Sequence, residues 1–174
     1  MVEEGYELGD ALQRTARAYD IRQQHARPSH QALRGAIQTH RALFRPQQLD
    51  QLQQQRRQAL QAMRALSAFS PRLAGALIHG DGRLDRIRLM LHADTPEQVI
   101  LHLHERHIPA ETYEVLLHQS GGRRLATPAI GFVAGDSKIE IIVLDHRLRS
   151  DPPRDAISGG PIETLGAAQL ERLL

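Results

Sequence analysis

The alternation of apolar and polar positions divides the chain into a helical first part and a second part of short strands. In residues 47–69, apolar side chains recur every three or four positions, from Leu49 to Phe69, and the opposite side is rich in Gln and Arg. This spacing predicts an amphipathic helix whose apolar side packs on the rest of the protein. The same periodicity predicts shorter helices over 5–19 and 29–43.

The second part opens with two short apolar runs, 73–78 and 87–91, on either side of the polar, glycine-containing segment 79–83. Short apolar runs bounded by Gly and Asp are typical of buried strands, so we predict a β-hairpin with a tight turn at 79–83. Thr95-Pro96-Glu97 follows the second run. A threonine before a proline predicts the start of a helix, which would cover one face of the hairpin.

Further strands are predicted downstream. Residues 111–118 alternate between apolar and polar positions, and 128–134 and 138–145 flank Gly135-Asp136, a favourable hairpin turn. A Pro- and Gly-rich extended segment and a short closing helix over 166–174 complete the chain.

This element order predicts an α/β domain of the α+β type, with a mixed sheet of about five strands and an N-terminal helical layer. Residues 1–69 would form a helical region that packs on the core, 70–174, within one compact domain.

Composition excludes several classes of protein. The 174 residues include no Cys, which rules out disulfides, thiolate catalysis and Cys-ligated metal centres. Residues 1–70 carry ten arginines against six acidic residues, but only 3% of the chain is aromatic, so nucleic-acid binding is not expected. No signal peptide and no membrane-spanning apolar run is visible, and we therefore expect a cytoplasmic protein without a membrane partner.

Four short segments carry a resemblance to a known family. They are Glu3-Glu4-Gly5, residues 69–76 (FSPRLAGA), His92-Ala93-Asp94 and residues 150–154 (SDPPR). Together they resemble an uncharacterised bacterial family of nucleotidyltransferase-like proteins, related to the superfamily that includes DNA polymerase beta. In that superfamily a Gly-Ser turn, an Asp-hydrophobic-Asp strand start and a carboxylate on a later strand hold two metal ions and the nucleotide phosphates.

The resemblance implies positions for this motif. Gly80 matches the turn glycine and Asp81 occupies the serine position, although Gly75-Ala76 comes nearer to the usual spacing without the hydroxyl. Arg86-Ile87-Arg88 stands where Asp-hydrophobic-Asp is expected, and Glu140 matches the region of the third carboxylate. The resemblance therefore implies a nucleotidyltransferase-like fold in which arginines replace the metal-binding pair.

Two interpretations of the arginines are open. Arg86 and Arg88, with Gly80 and Gly82, would bind nucleotide phosphates without a metal ion. The protein would then be a catalytically impaired member of the superfamily, acting as a nucleotide-responsive or protein-interaction module. Alternatively, the two arginines would form salt bridges with Glu140 or Asp85. By its place between two isoleucines, Glu140 is expected to be exposed to solvent.

Two other functions are compatible with the sequence. In the first, Asp81, Asp85 and Glu140 form a non-standard catalytic set for Mg²⁺-dependent nucleotide transfer, or Asp81, Asp85 and Asp94 hold one metal ion. Magnesium is expected as a cofactor only in that case. In the second, the protein is a scaffold that forms homodimers through the helix over 47–69.

Overall fold

The structure, a computed structural model, describes residues 14–15, 17–18, 29–155 and 159–174. The predicted helix over 5–19 lies outside the described residues except at 14–15 and 17–18, which are helical. The Glu3-Glu4-Gly5 segment also lies outside them.

Between residues 29 and 71, two long helices precede the sheet, α1 (His30–Phe44) and α2 (Pro46–Ala65). The hydroxyl of Ser29 caps α1 by accepting a hydrogen bond from the N–H of Ala32 at 3.1 Å. Helix α2 ends four residues before the predicted limit, because Ser67–Phe69 forms a separate 3₁₀ turn.

The described residues form a sheet of six strands, which are β1 (Arg72–Ala74), β2 (Arg86–His92), β3 (Glu111–His118), β4 (Arg124–Ala134), β5 (Ser137–Leu144) and β6 (Thr164–Leu165). Their order across the sheet is β3-β4-β5-β2-β1-β6. The neighbours β2 and β5 are parallel and the other pairs are antiparallel, so the sheet is mixed and the predicted α+β class is confirmed. Helix α3 (Pro96–His104) joins β2 to β3, and helix α4 (Ala167–Glu171) follows β6.

The two faces of the sheet are covered differently. On one face, buried side chains of alternate strand positions, such as Leu89 and Ile141, pack against the helices in one apolar cluster that also contains Met63 of α2. On the other face, Ile142 and its neighbours pack against Leu148 and other residues of the C-terminal segment. Nearer the starts of β2 and β5, this second face carries charged side chains instead.

The first predicted strand, 73–78, is wrong beyond its third residue. Strand β1 ends at Ala74 because Gly75 adopts a left-handed conformation with φ of +80°, and the following residues form turns. Leu77 and Ile78 are nevertheless buried, which explains why their pattern resembles that of a strand. The connection between β1 and β2 therefore spans residues 75–85 and is not a tight turn at 79–83.

The second hairpin agrees with the prediction. Strands β4 and β5 are antiparallel, and Gly135, with φ of +59°, occupies the turn between them. None of the helices in the described ranges combines the length and the hydrophobicity that a membrane-spanning helix needs.

Candidate functional site

The candidate site lies where β2 and β5 begin side by side. In this parallel pair Arg86 is opposite Lys138, and Arg88 is opposite Glu140. Residues two apart in a strand share a face, so these four side chains lie on the face of the sheet away from the helices. The pairing brings together two arginines and a carboxylate that are more than fifty residues apart in sequence.

Glu140 is at the centre of this group. Its carboxylate accepts hydrogen bonds from Nε of Arg88 at 2.5 Å and from the hydroxyl of Tyr113 at 2.9 Å, and Nη1 of Arg86 lies at 3.4 Å. Only 6% of its side chain is exposed. The expectation that Glu140 is exposed to solvent is therefore wrong. The alternation along β5 predicts which face of the sheet Glu140 occupies. It does not predict that three donors from two other strands surround the carboxylate and bury it.

A glycine makes room for the tyrosine. Gly131 on β4 is the strand partner of Glu140, and a Cβ placed on it would lie 3.0 Å from Cε1 of Tyr113. Because Gly131 has no side chain, the Tyr113 ring crosses over β4 and its hydroxyl reaches the carboxylate on β5. Tyr113 and Gly131 were not among the residues predicted for the site, since neither stands near the arginines in sequence.

The surroundings of Glu140 and Tyr113 change their pKa values. Burial raises the pKa of Glu140, but the charge and hydrogen bond of Arg88, with smaller contributions from Tyr113 and Arg86, bring it below the usual value. Burial and the hydrogen bond to the charged Glu140 raise the pKa of Tyr113 to about 12. At neutral pH the site therefore contains a carboxylate and a neutral tyrosine whose hydroxyl donates a hydrogen bond to it.

The group carries a net positive charge. Arg86, Arg88 and Lys138 contribute three cations, and Glu140 contributes one buried anion. The side chains of Arg86 and Arg88 are 43% and 34% exposed, and Glu140 contacts one nitrogen of each guanidinium. Their remaining N–H groups are donors of the kind that bind phosphate or carboxylate oxygens.

The glycine loop that was predicted to bind phosphate is held from the helical side. Nη1 of Arg41 donates to the carbonyl of Gly80, and its Nη2 donates to the carbonyl of Gly82 at 3.1 Å. The N–H of Gly80 donates to the carbonyl of Ala76 at 2.7 Å, so this amide is already used within the loop. Arg56 of α2 holds the same connection through two further carbonyls. These arginines were not predicted to contact the loop.

The predicted carboxylates have separate partners. Asp81 is buried and pairs with Arg34 at 2.7 Å, and Asp85 pairs with Arg83 at 2.5 Å. The hydrogen bond from Arg83 is the largest cause of the lowered pKa of Asp85. Of the two partners proposed for Arg86 and Arg88, the structure therefore shows Glu140.

The remaining predicted ligand, Asp94, lies 3.4 Å from Nε2 of His146 and has an exposed side chain. In the part of the chain that the structure describes, no three His, Cys, Asp or Glu residues form a group that could hold a metal ion. Asp81, Asp85 and Asp94 are thus not brought together as a ligand set there, and neither are Asp81, Asp85 and Glu140.

Comparison of the chain with models of protein families, with curated proteins and with solved structures gave no match.

Proposed function

We propose that the protein is a diverged, catalytically impaired member of the nucleotidyltransferase-like fold that binds the phosphate groups of a nucleotide without a metal ion. Arg86 and Arg88 would be the phosphate ligands, and Lys138 would add a third positive charge. One observation carries this proposal: two half-exposed guanidiniums flank a buried carboxylate that fixes them on an open face of the sheet.

The buried carboxylate supports a binding role because it positions both arginines before a ligand arrives. A flexible arginine loses side-chain entropy when it binds an anion. Here Glu140 already holds one nitrogen of each guanidinium, so part of that entropy is lost on folding instead of on binding. The planar guanidinium then presents its remaining donors to two phosphate oxygens at once.

The same geometry disfavours a divalent metal ion at this position. Magnesium binds carboxylate oxygens, and both oxygens of Glu140 already accept hydrogen bonds from cationic or hydroxyl donors. A metal ion bound there would have to displace Arg88 and would lie beside two positive charges. This supports the impaired, metal-independent function over the Mg²⁺-dependent alternative.

The alternative of a homodimer through 47–69 has less support. The apolar stripe of α2, which a coiled coil would need, includes Leu60 and Met63, and both are buried in the core of the same chain.

The test is thermal unfolding of the full chain with ATP, GTP, CTP or UTP, each with and without Mg²⁺. We expect at least one nucleotide to raise the melting temperature without metal, because binding to the folded state stabilises it by mass action. Arg86→Gln and Arg88→Gln should each reduce this rise. Arg57→Gln, which removes an exposed arginine of α2, is the matched control and should leave it unchanged.

Two outcomes would contradict the proposal. In the first, no nucleotide raises the melting temperature. In the second, the rise requires Mg²⁺ and persists in both arginine variants, which would favour a metal-dependent site elsewhere in the protein.

A further inference from the structure

A cavity of about 380 Å³ lies on the helix-covered side of the sheet, between the C-terminal ends of α2 and α3 and the β4–β5 hairpin. Its volume is within the range of about 300–1,000 Å³ that is usual for small-molecule sites. The inner wall is apolar and is formed mainly by Ala62, Leu66, Leu103, Ile108, Phe132 and Ile139.

The polar groups of the cavity are basic or neutral. Nε2 of His102 lies 2.9 Å from the carbonyl oxygen of Ala65, and Nη1 of Arg106 donates to the carbonyl of His102 at 3.2 Å. Two glutamines, Gln58 and Gln61, complete the polar lining, and none of the described residues that line the cavity is acidic. Among the described residues no carboxylate forms an ion pair with Arg106, so its charge is available to a ligand.

From this arrangement we propose that the cavity binds a small carboxylic acid with an apolar body, such as a medium-chain fatty acid. The apolar body would fill the space against Leu66, Leu103 and Phe132, where its transfer from water is favourable. The carboxylate would remain at the entrance and accept charge-assisted hydrogen bonds from Arg106. A ligand with a cationic head is disfavoured, because it would meet Arg106 without a compensating acid.

This site is separate from the proposed nucleotide site. Ile139 lines the cavity, whereas Glu140, the next residue of β5, contributes to the arginine cluster. Consecutive side chains of a strand point to opposite faces, so the two sites lie on opposite sides of the sheet. Either site can therefore fail its test without affecting the other.

The test is a titration of the isotope-labelled full chain with octanoate, followed by backbone amide chemical shifts. We expect saturable shifts around 58–66, 102–108 and 132–139. Octylamine, which has the same chain and the opposite charge, and 1-octanol, which has no charge, should bind more weakly. Loss of one exposed charge pair corresponds to an approximately fivefold weaker affinity.

Two variants separate the carboxylate contact from the apolar contact. Arg106→Gln should weaken octanoate about fivefold and leave 1-octanol unchanged, with Arg57→Gln as the matched control. Ala62→Phe fills the cavity from α2 and should abolish binding of both ligands. Ala36→Phe makes the same change on the exposed surface of α1 and should have no effect.

Arg106 is exposed, so its replacement leaves the core intact and keeps the test valid even if Ala62→Phe is poorly folded. Equal affinity for octanoate and 1-octanol would overturn the proposal. An octanoate affinity that Arg106→Gln does not change would overturn it as well. Shifts confined to residues outside the cavity, or no saturable shift, would do the same.

Discussion

Replacement of Glu140 by Gln tests both the structural role and the binding role of the arginine cluster. The variant should be less stable than the native protein and should bind anions more strongly. The substitution keeps the size of the side chain but removes its charge. Arg86 and Arg88 would lose their shared counter-ion, and the hydroxyl of Tyr113 would donate to a neutral amide oxygen or to none.

The magnitude follows from the exposure of the partners. Removing one member of a fully buried ion pair costs about 3–5 kcal/mol. Here Glu140 is buried, but Arg86 and Arg88 are 43% and 34% exposed, so water solvates much of the charge that is left behind. We therefore expect a loss of about 1–2 kcal/mol in the free energy of unfolding. For a chain of this size that corresponds to a decrease of about 2–8 °C in melting temperature.

The assay is thermal unfolding at neutral pH in a low-salt buffer, with and without inorganic phosphate. In the Glu140→Gln variant, the amide oxygen can still accept a hydrogen bond that positions a guanidinium, but it lacks the negative charge of Glu140, which offsets part of the attraction between the two arginines and phosphate. The Glu140→Gln variant should therefore show a larger rise in melting temperature with phosphate than the native protein shows. Glu105→Gln, which removes an exposed carboxylate at the end of α3, is the control and should change neither value.

The same variant should also change the response to acid. The pKa of Glu140 is lower in the folded protein than in the unfolded chain, so its contribution to stability is present above about pH 4.3. That contribution is lost as the pH falls through the folded-state pKa, and the variant should lack this part of the acid dependence. A variant as stable as the native protein would refute the role of Glu140 as a counter-ion. A destabilised variant without a larger phosphate response would mean that the arginines have only a structural role.

Three further substitutions test other parts of the structure. The pKa of Tyr113 is about 12 in the folded protein, above the value of about 10 in the unfolded chain. The contribution of Tyr113 to stability should therefore be lost as the pH rises from about 10 to about 12, and Tyr113→Phe should lack this pH dependence in urea unfolding. Gly80 has a left-handed φ of +67°, and a Cβ placed on it would lie 2.7 Å from a neighbouring side-chain carbon. Gly80→Ala should therefore lower the free energy of unfolding by about 1–3 kcal/mol in urea, whereas Gly121→Ala, with a similar φ and open space around the Cβ, should lower it less. Arg56→Met leaves two buried carbonyls without their donor and should cost about 2–4 kcal/mol, and an equal loss in Arg57→Met would contradict that explanation.

Local patterns were sufficient for the class of fold. The period of α2 and the Gly-Asp turn between β4 and β5 are properties of neighbouring residues, and both elements form where the sequence predicts them within a few positions. From the sequence, Arg86 and Arg88 were predicted as phosphate ligands, and Glu140 or Asp85 as their alternative salt-bridge partner; the structure shows the pairing with Glu140. The two-residue strand β6 was missed because it is too short to carry a pattern.

The tertiary structure decided how those elements are used. Leu77 and Ile78 form a buried turn because Arg56, more than twenty residues earlier, supplies donors for their carbonyls, and no local pattern encodes that contact. Glu140 is buried because β2 pairs in parallel with β5 and because Gly131 lets Tyr113 cross β4. Residue types and their spacing thus determine the class of fold and most of its helices and strands. Which carbonyls and charges meet depends on strand register and on contacts between distant segments, and only the folded chain fixes these.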